Sequence, residues 1–144
     1  MRYYSEIVPF EIAVSLDNEF DPGIGDGYCY AVRDIKRQPR DIKAGELVFV
    51  VTDEEDDLAA YVQAPTYAEV VDFFLDKGIF IEVSPWHTFA LKERMGFVYT
   101  INTINEEEAK LDCEVWNDFA SFKLCMNSAI KRALQVYRMS KCNE

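Results

Sequence analysis

Proton-transfer chemistry in this chain would have to begin at His87, the one histidine and the one side chain whose ordinary pKa lies close to neutrality. Glu82, Glu93 or a cysteine are its candidate partners, which sequence alone does not bring together. No serine or cysteine stands in the strand-to-helix turn that activates a nucleophile, so a histidine on an extended segment reads first as an ordinary polar residue. The run Asp53-Glu54-Glu55-Asp56-Asp57 offers hard oxygen ligands. It lacks the spaced acids, central glycine and distal glutamate of a calcium loop and reads as a solvated turn. Gly23-Ile24-Gly25-Asp26-Gly27 has the glycines of a phosphate cradle, but a cradle follows a strand and opens a helix. Here the order is reversed and Asp26 repels phosphate. Cys29, Cys113, Cys125 and Cys142 have no metal-knuckle or redox spacing, and Cys29 and Cys125 read as buried free thiols. No cofactor or metal is expected.

Charge narrows the partners. The formal net charge is −11, concentrated in residues 53–57 and in Glu106-Glu107-Glu108 with Asp112 and Glu114. Such a field repels nucleic acid and anionic membranes, which argues against direct nucleic-acid binding. It suits solubility, docking to a basic partner, or mimicry of nucleic acid. Against this background Arg33, Lys36, Arg37, Arg40 and Lys43 form a cationic cluster, read as neutralising an acidic patch on this protein or on a second subunit.

The elements that position these residues follow from patterning. With 144 residues, 49% of them hydrophobic and 14% aromatic, one core and one domain are expected. No apolar run approaches the length that spans a bilayer, and Met1–Glu6 lacks a signal peptide's apolar core, so a cytoplasmic protein is expected. Ile12, Ala13, Leu16 and Phe20 recur at helical spacing over 9–19, and a glycine-rich loop follows. Strands are expected at 28–32 and 46–52, and 58–63 is expected to pair with 46–52 as a hairpin around the acids. Thr66 and Glu69 fit a capping box ahead of the stripe Tyr67, Val70, Val71 and Phe74, and Gly78 stops that helix. Ile79, Ile81 and Val83 alternate inward, with further extended segments at 86–91 and 97–104. The stretch 106–112 reads as an acidic loop. A long helix, capped by Asn117 or Asp118, runs to about Met139 with Phe119, Phe122, Met126, Ala129, Ile130, Ala133 and Tyr137 inward. The sum is an α+β fold, an antiparallel-rich sheet covered by helices in the order α-β-β-β-α-β-β-β-α.

Two stretches carry a resemblance. Ala64-Pro65-Thr66 with Val71-Asp72-Phe73-Phe74, Gly78 and Ile79-Phe80-Ile81 is the first. Trp116-Asn117-Asp118 with Cys125 to Ile130 and Ala133-Leu134 is the second. Both are similar to small uncharacterised proteins of Bacteroidetes phage-like or mobile elements. The resemblance covers the second half of the chain and implies a mobile-element accessory protein without catalytic residues.

The expected function is a non-enzymatic, acidic protein-interaction module that binds a protein partner or a second copy of itself. Tyr3, Tyr4, Phe73, Phe80, Trp86, Phe89 and Trp116 are more aromatics than one small core holds, and the binding surface would join Phe73, Phe80 and Trp86 among them to a rim of Asp53, Glu54, Glu55, Asp56 and Asp57. The alternatives are a small enzyme or ligand-binding domain with a pocket near His87, and a nucleic-acid mimic.

Overall fold

The computed structural model describes residues 6–16, 19, 27–51, 58–87, 95–104, 109–117 and 121–142, with the backbone alone at 58, 86, 87, 95 and 109–117. Helices and strands follow in the expected α+β order: α1 (Phe10–Leu16), β1 (Gly27–Ala31), β2 (Leu47–Val50), β3 (Tyr61–Gln63), α2 (Tyr67–Asp76), β4 (Ile79–His87), β5 (Met95–Ile104), β6 (Ala109–Asn117) and α3 (Phe122–Cys142). The strands form two antiparallel three-stranded sheets, and the chain divides into two compact units, one built on Glu6–Tyr67 and one on Ala68–Glu144.

In the first unit Pro9 opens α1, its carbonyl accepting the Ile12 and Ala13 amides at 3.1 and 3.0 Å. Ile12, Ala13 and Leu16 are buried, and the helix ends at Leu16, short of the expected Glu19. The sheet order is β2-β1-β3. This corrects the hairpin expected between 46–52 and 58–63: β3 pairs with β1, Ala31 opposite Tyr61 and Cys29 opposite Gln63. Residues Leu58–Ala60 are a 3₁₀ turn, so the strand itself has three residues. The outcome is a core of Cys29, Ala31, Ile42, Val50, Ala60 and Tyr61, with β1 flanked by apolar strands on both sides. Residues 32–46 fold back over that core. Ile35 and Ile42 exchange backbone hydrogen bonds at 2.7 and 2.8 Å and pack against it.

In the second unit α2 buries Val70 and Phe74, and Val71 is half-buried. Thr66 stands immediately before α2, where a cap belongs, and Gly78 ends it at φ +78°. The Gly78 carbonyl accepts the Ile104 amide at 2.7 Å, which ties the start of β4 to the end of β5. Ile79, Ile81 and Val83 point inward as expected. The strand does not stop there: β4 continues through Pro85 to His87, so 86–87 belong to the same strand as 79–83, and the rest of the segment expected at 86–91 lies outside the described residues. Pro85 is tolerated because β4 is an edge strand in the order β4-β5-β6.

The third strand is also displaced from expectation. Residues 109–117 pair with β5 as β6, with a register shift at Ile101/Asn102. Ala109, Leu111, Cys113 and Val115 alternate with charged residues, a strand period that outweighs the local acidity. The long helix accordingly starts later. Ser121, not Asn117 or Asp118, is its cap, and its Oγ accepts the Leu124 amide at 3.2 Å. Phe119 lies outside the described residues. Phe122, Met126, Ala129, Ile130 and Ala133 form the buried stripe of α3, which packs on β4 and β5.

Candidate protein-interaction face

The residues singled out by sequence are dispersed. Phe73 is half-buried on α2, with its ring edge-to-face against Phe74 at 5.3 Å and Tyr137 at 5.8 Å. Lys77 Nζ covers it from 5.6 Å, so most of Phe73 serves packing. Phe80, opposite Asn102 on β4, is 36% exposed. Trp86 and His87 lie opposite Gly96 and Met95 at the far end of the same strand. Six residues of strand separate Phe80 from Trp86 by about 20 Å, so the two do not form one compact patch. Asp53, Glu54, Glu55, Asp56 and Asp57 lie outside the described residues.

A different surface emerges on the first unit. Strand alternation divides β1 and β2 into two faces. Cys29, Ala31, Val48 and Val50 turn toward the core, and Tyr28, Tyr30, Leu47 and Phe49 turn away from it. Tyr30 is anchored: its hydroxyl donates to the Val8 carbonyl at 2.6 Å and its ring meets Phe10 at 5.5 Å. Burial pushes the Tyr30 phenol above its ordinary pKa. Tyr28 and Phe49, directly opposite in register, are 53% and 57% exposed and stack edge-to-face at 5.3 Å. Leu47, 40% exposed, extends the patch along β2.

The cationic hairpin connects β1 to β2 and packs through Ile35 and Ile42 on the core side of the sheet. All five cations between residues 6 and 67 lie within 33–43, and every one is exposed. The acids among them hold backbone. Asp34 accepts the Ala44 amide at 2.9 Å and Asp41 the Arg37 amide at 3.2 Å. Arg40 forks onto Glu46 at 3.1 and 2.7 Å, and that hydrogen bond holds the Glu46 carboxyl below its ordinary pKa. The face therefore combines an exposed aromatic pair with an aliphatic neighbour, and the cations sit on the connection from β1 to β2.

Among the described side chains, the interior thiols are Cys29 and Cys125. Cys29 and Cys125 are buried, and burial raises both thiols, Cys125 to about 11, so neither is a thiolate near neutrality. Cys142 is exposed. Among the described residues no group of histidine, cysteine and carboxylate side chains is placed to hold a metal ion, and no helix is long and apolar enough to cross a membrane.

Comparison with known proteins finds no matching family, no matching curated sequence and no matching solved structure.

Sequence reasoning missed Tyr28, Leu47 and Phe49. The strands were legible, but their inward side was not. Hydrophobic bulk would turn the tyrosines, Leu47 and Phe49 to the core, whereas the smaller Cys29, Ala31 and Val50 are the residues buried there with Ile42.

Proposed function

We propose that the protein is a non-enzymatic interaction module whose binding face is the Tyr28–Phe49–Leu47 surface. The exposed Tyr28–Phe49 pair is the observation that carries this reading. Aromatic rings set on a sheet lose little conformational freedom on binding, which is why such residues anchor interfaces. The partner that fits is a protein segment with apolar anchors that meet the ring pair. Aromatic groups beside cations also suit single-stranded nucleic acid. The −11 charge and the acidic run beginning three residues beyond β2 weigh against that ligand. The resemblance of residues 64–81 and 116–134 supports an accessory role within a mobile element.

The test is quantitative capture from native host lysate on the immobilised chain, on Tyr28→Ser/Phe49→Ser, and on the control Leu124→Ser. A protein retained by the wild type and the control but depleted at least about tenfold on the double variant is expected, as for loss of a central aromatic anchor. Equal capture by all three, or preferential recovery of single-stranded oligonucleotide by the wild type, would overturn the reading.

A further inference from the structure

We infer that the outer face shared by α2 and α3 is the seam of a two-fold dimer, in which α2 of each copy lies on α3 of the other. The face belongs to the second unit and shares no residue with the Tyr28–Phe49–Leu47 surface, so the dimer stands independently of the function proposed above.

Charge is sorted between the two helices. α2 carries Glu69, Asp72 and Asp76 and no cation, whereas α3 carries Lys123, Lys131, Arg132, Arg138 and Lys141 and no acid. Helical period decides which of these stand outermost. Tyr67, Val70 and Phe74 are buried, so Glu69, Asp72 and Asp76 stand on the opposite side of α2, and all three are exposed. Met126, Ala129, Ile130 and Ala133 are buried, so Lys131, Gln135 and Arg138 stand on the opposite side of α3, and all three are exposed. Glu69 to Asp76 and Lys131 to Arg138 each span two turns, about 10.5 Å.

The two helices lie side by side. Phe73 of α2 meets Tyr137 of α3 at 5.8 Å, each half-buried on the flank between its helix's buried and charged stripes. Lys77 and Lys141 close over these rings from 5.6 and 5.0 Å. With flanks together and inner stripes buried, the two charged stripes face the same way. They form one surface, acidic along one side and basic along the other.

Such a surface complements itself. A two-fold axis along the groove between the helices sets α2 of one copy on α3 of the second and repeats the contact in reverse. An axis across the helices would set acid on acid and base on base, so the charges select the first. The rotation preserves height along the groove. Asp72, Leu75, Asp76, Arg138 and Met139 all lie within about 5 Å of the height of the Phe73–Tyr137 pair. Arg138 of the second copy therefore comes beside Asp72 and Asp76. Leu75 and Met139, 44% and 60% exposed, each stand on the flank away from the ring pair, so they meet at the margin of the seam. An acidic partner would complement α3 alone and a basic one α2 alone, whereas a second copy complements both at once. Surface ion pairs contribute little each and both chains carry −11, so the dimer is weak and concentration-dependent.

Sedimentation equilibrium of the full chain from micromolar to millimolar concentration tests this, with circular dichroism as the check on folding. The wild type should show a reversible monomer–dimer equilibrium. Asp72→Lys/Asp76→Lys turns α2 basic and Lys131→Glu/Arg138→Glu turns α3 acidic, so each variant alone should associate at least about tenfold more weakly. An equimolar mixture of the two should dimerise again, because every basic stripe then meets an acidic one. Should either charge variant fail to fold, Met139→Glu replaces it: it sets a carboxylate against Leu75 and Asp76 of the second copy and should also weaken association. A wild type that stays monomeric, an assembly larger than a dimer, undiminished association of the folded variants, or a mixture of folded variants that does not dimerise each overturns the seam. Tyr28→Ser/Phe49→Ser should keep the dimer and lose the lysate partner, and Asp72→Lys/Asp76→Lys should do the reverse, which tells the failure of one reading from the failure of the other.

Discussion

The two sheets have the same number of strands and opposite construction. In β4-β5-β6 each strand pairs with its neighbour in sequence, the strands are long, and α3 closes one face with Met126, Ile130 and Ala133. In β2-β1-β3 the strands have three to five residues, the core is small side chains beneath a polar hairpin, and the other face keeps Tyr28, Leu47 and Phe49 in solvent. Apolar surface spent on packing in the second sheet is left available for recognition in the first. The contrast separates a scaffold from a presenting surface within one short chain.

The sharpest way to break this contrast is to damage the scaffold. Phe74 is fully buried, and Phe74→Ala should destabilise the protein by about 3–5 kcal/mol in urea unfolding. A loss as small as that of a surface substitution would mean that the α2–α3 packing does not carry the unit. The two glycines with positive φ offer a paired test. A Cβ at Gly78 would stand 2.6 Å from the Ile104 carbonyl oxygen, whereas one at Gly45 meets only the Phe10 ring edge at 3.8 Å. Gly78→Ala should cost about 2–4 kcal/mol and Gly45→Ala about 1 kcal/mol. Equal costs would remove the distinction between a locked junction and a tolerant turn.

Smaller effects probe the presenting sheet. Tyr30→Phe removes the hydroxyl that holds Val8 and should cost about 1 kcal/mol with partner capture intact. Alkaline pH reaches the interior through the thiols. Cys125 is raised in the folded state from 9.0 to about 11, so the unfolded chain releases its proton first. The stability it contributes is full below 9.0 and is lost as pH climbs through that window. Unfolding midpoints should fall with pH there, and Cys125→Ala should flatten the decline; an unchanged slope would assign it to other groups. Tyr28→Ser/Phe49→Ser should change stability least, by no more than about 0.5 kcal/mol, while removing binding. A large loss of stability would show those rings to be structural.

Legibility in sequence follows the same division. The α2–Gly78–β4 segment was readable because a cap position, an apolar stripe and a glycine stop agree over adjacent residues. The hairpin assigned to β2 and β3 failed because the inference used chain proximity, whereas β1 offered both strands a longer apolar partner. β6 was obscured by Lys110, Asp112 and Glu114, whose charge was given more weight than the alternation they interrupt. The candidate face stayed hidden for a different reason: period-two patterning separates two faces of a strand without saying which one meets a core. With tyrosines facing one way and Cys29 and Ala31 the other, side-chain bulk points to the wrong face.

The return of β3 to β1 also sets an order of events in time. Ile81 finds Ile101, and Ile101 finds Cys113, by closing successive short loops, but Ala31 meets Tyr61 only after the hairpin and β2 have been placed between them. Closing loops of high sequence separation is slow, so β4-β5-β6 should assemble first and β1–β3 last. Pulse-labelled hydrogen exchange during refolding should then protect Ile101 before Val32, whose amide donates to the Ala60 carbonyl at 2.9 Å, and simultaneous protection would refute that sequence. A chain caught midway would be a stable helical unit without a finished recognition surface, so binding competence would report the completion of folding rather than its onset.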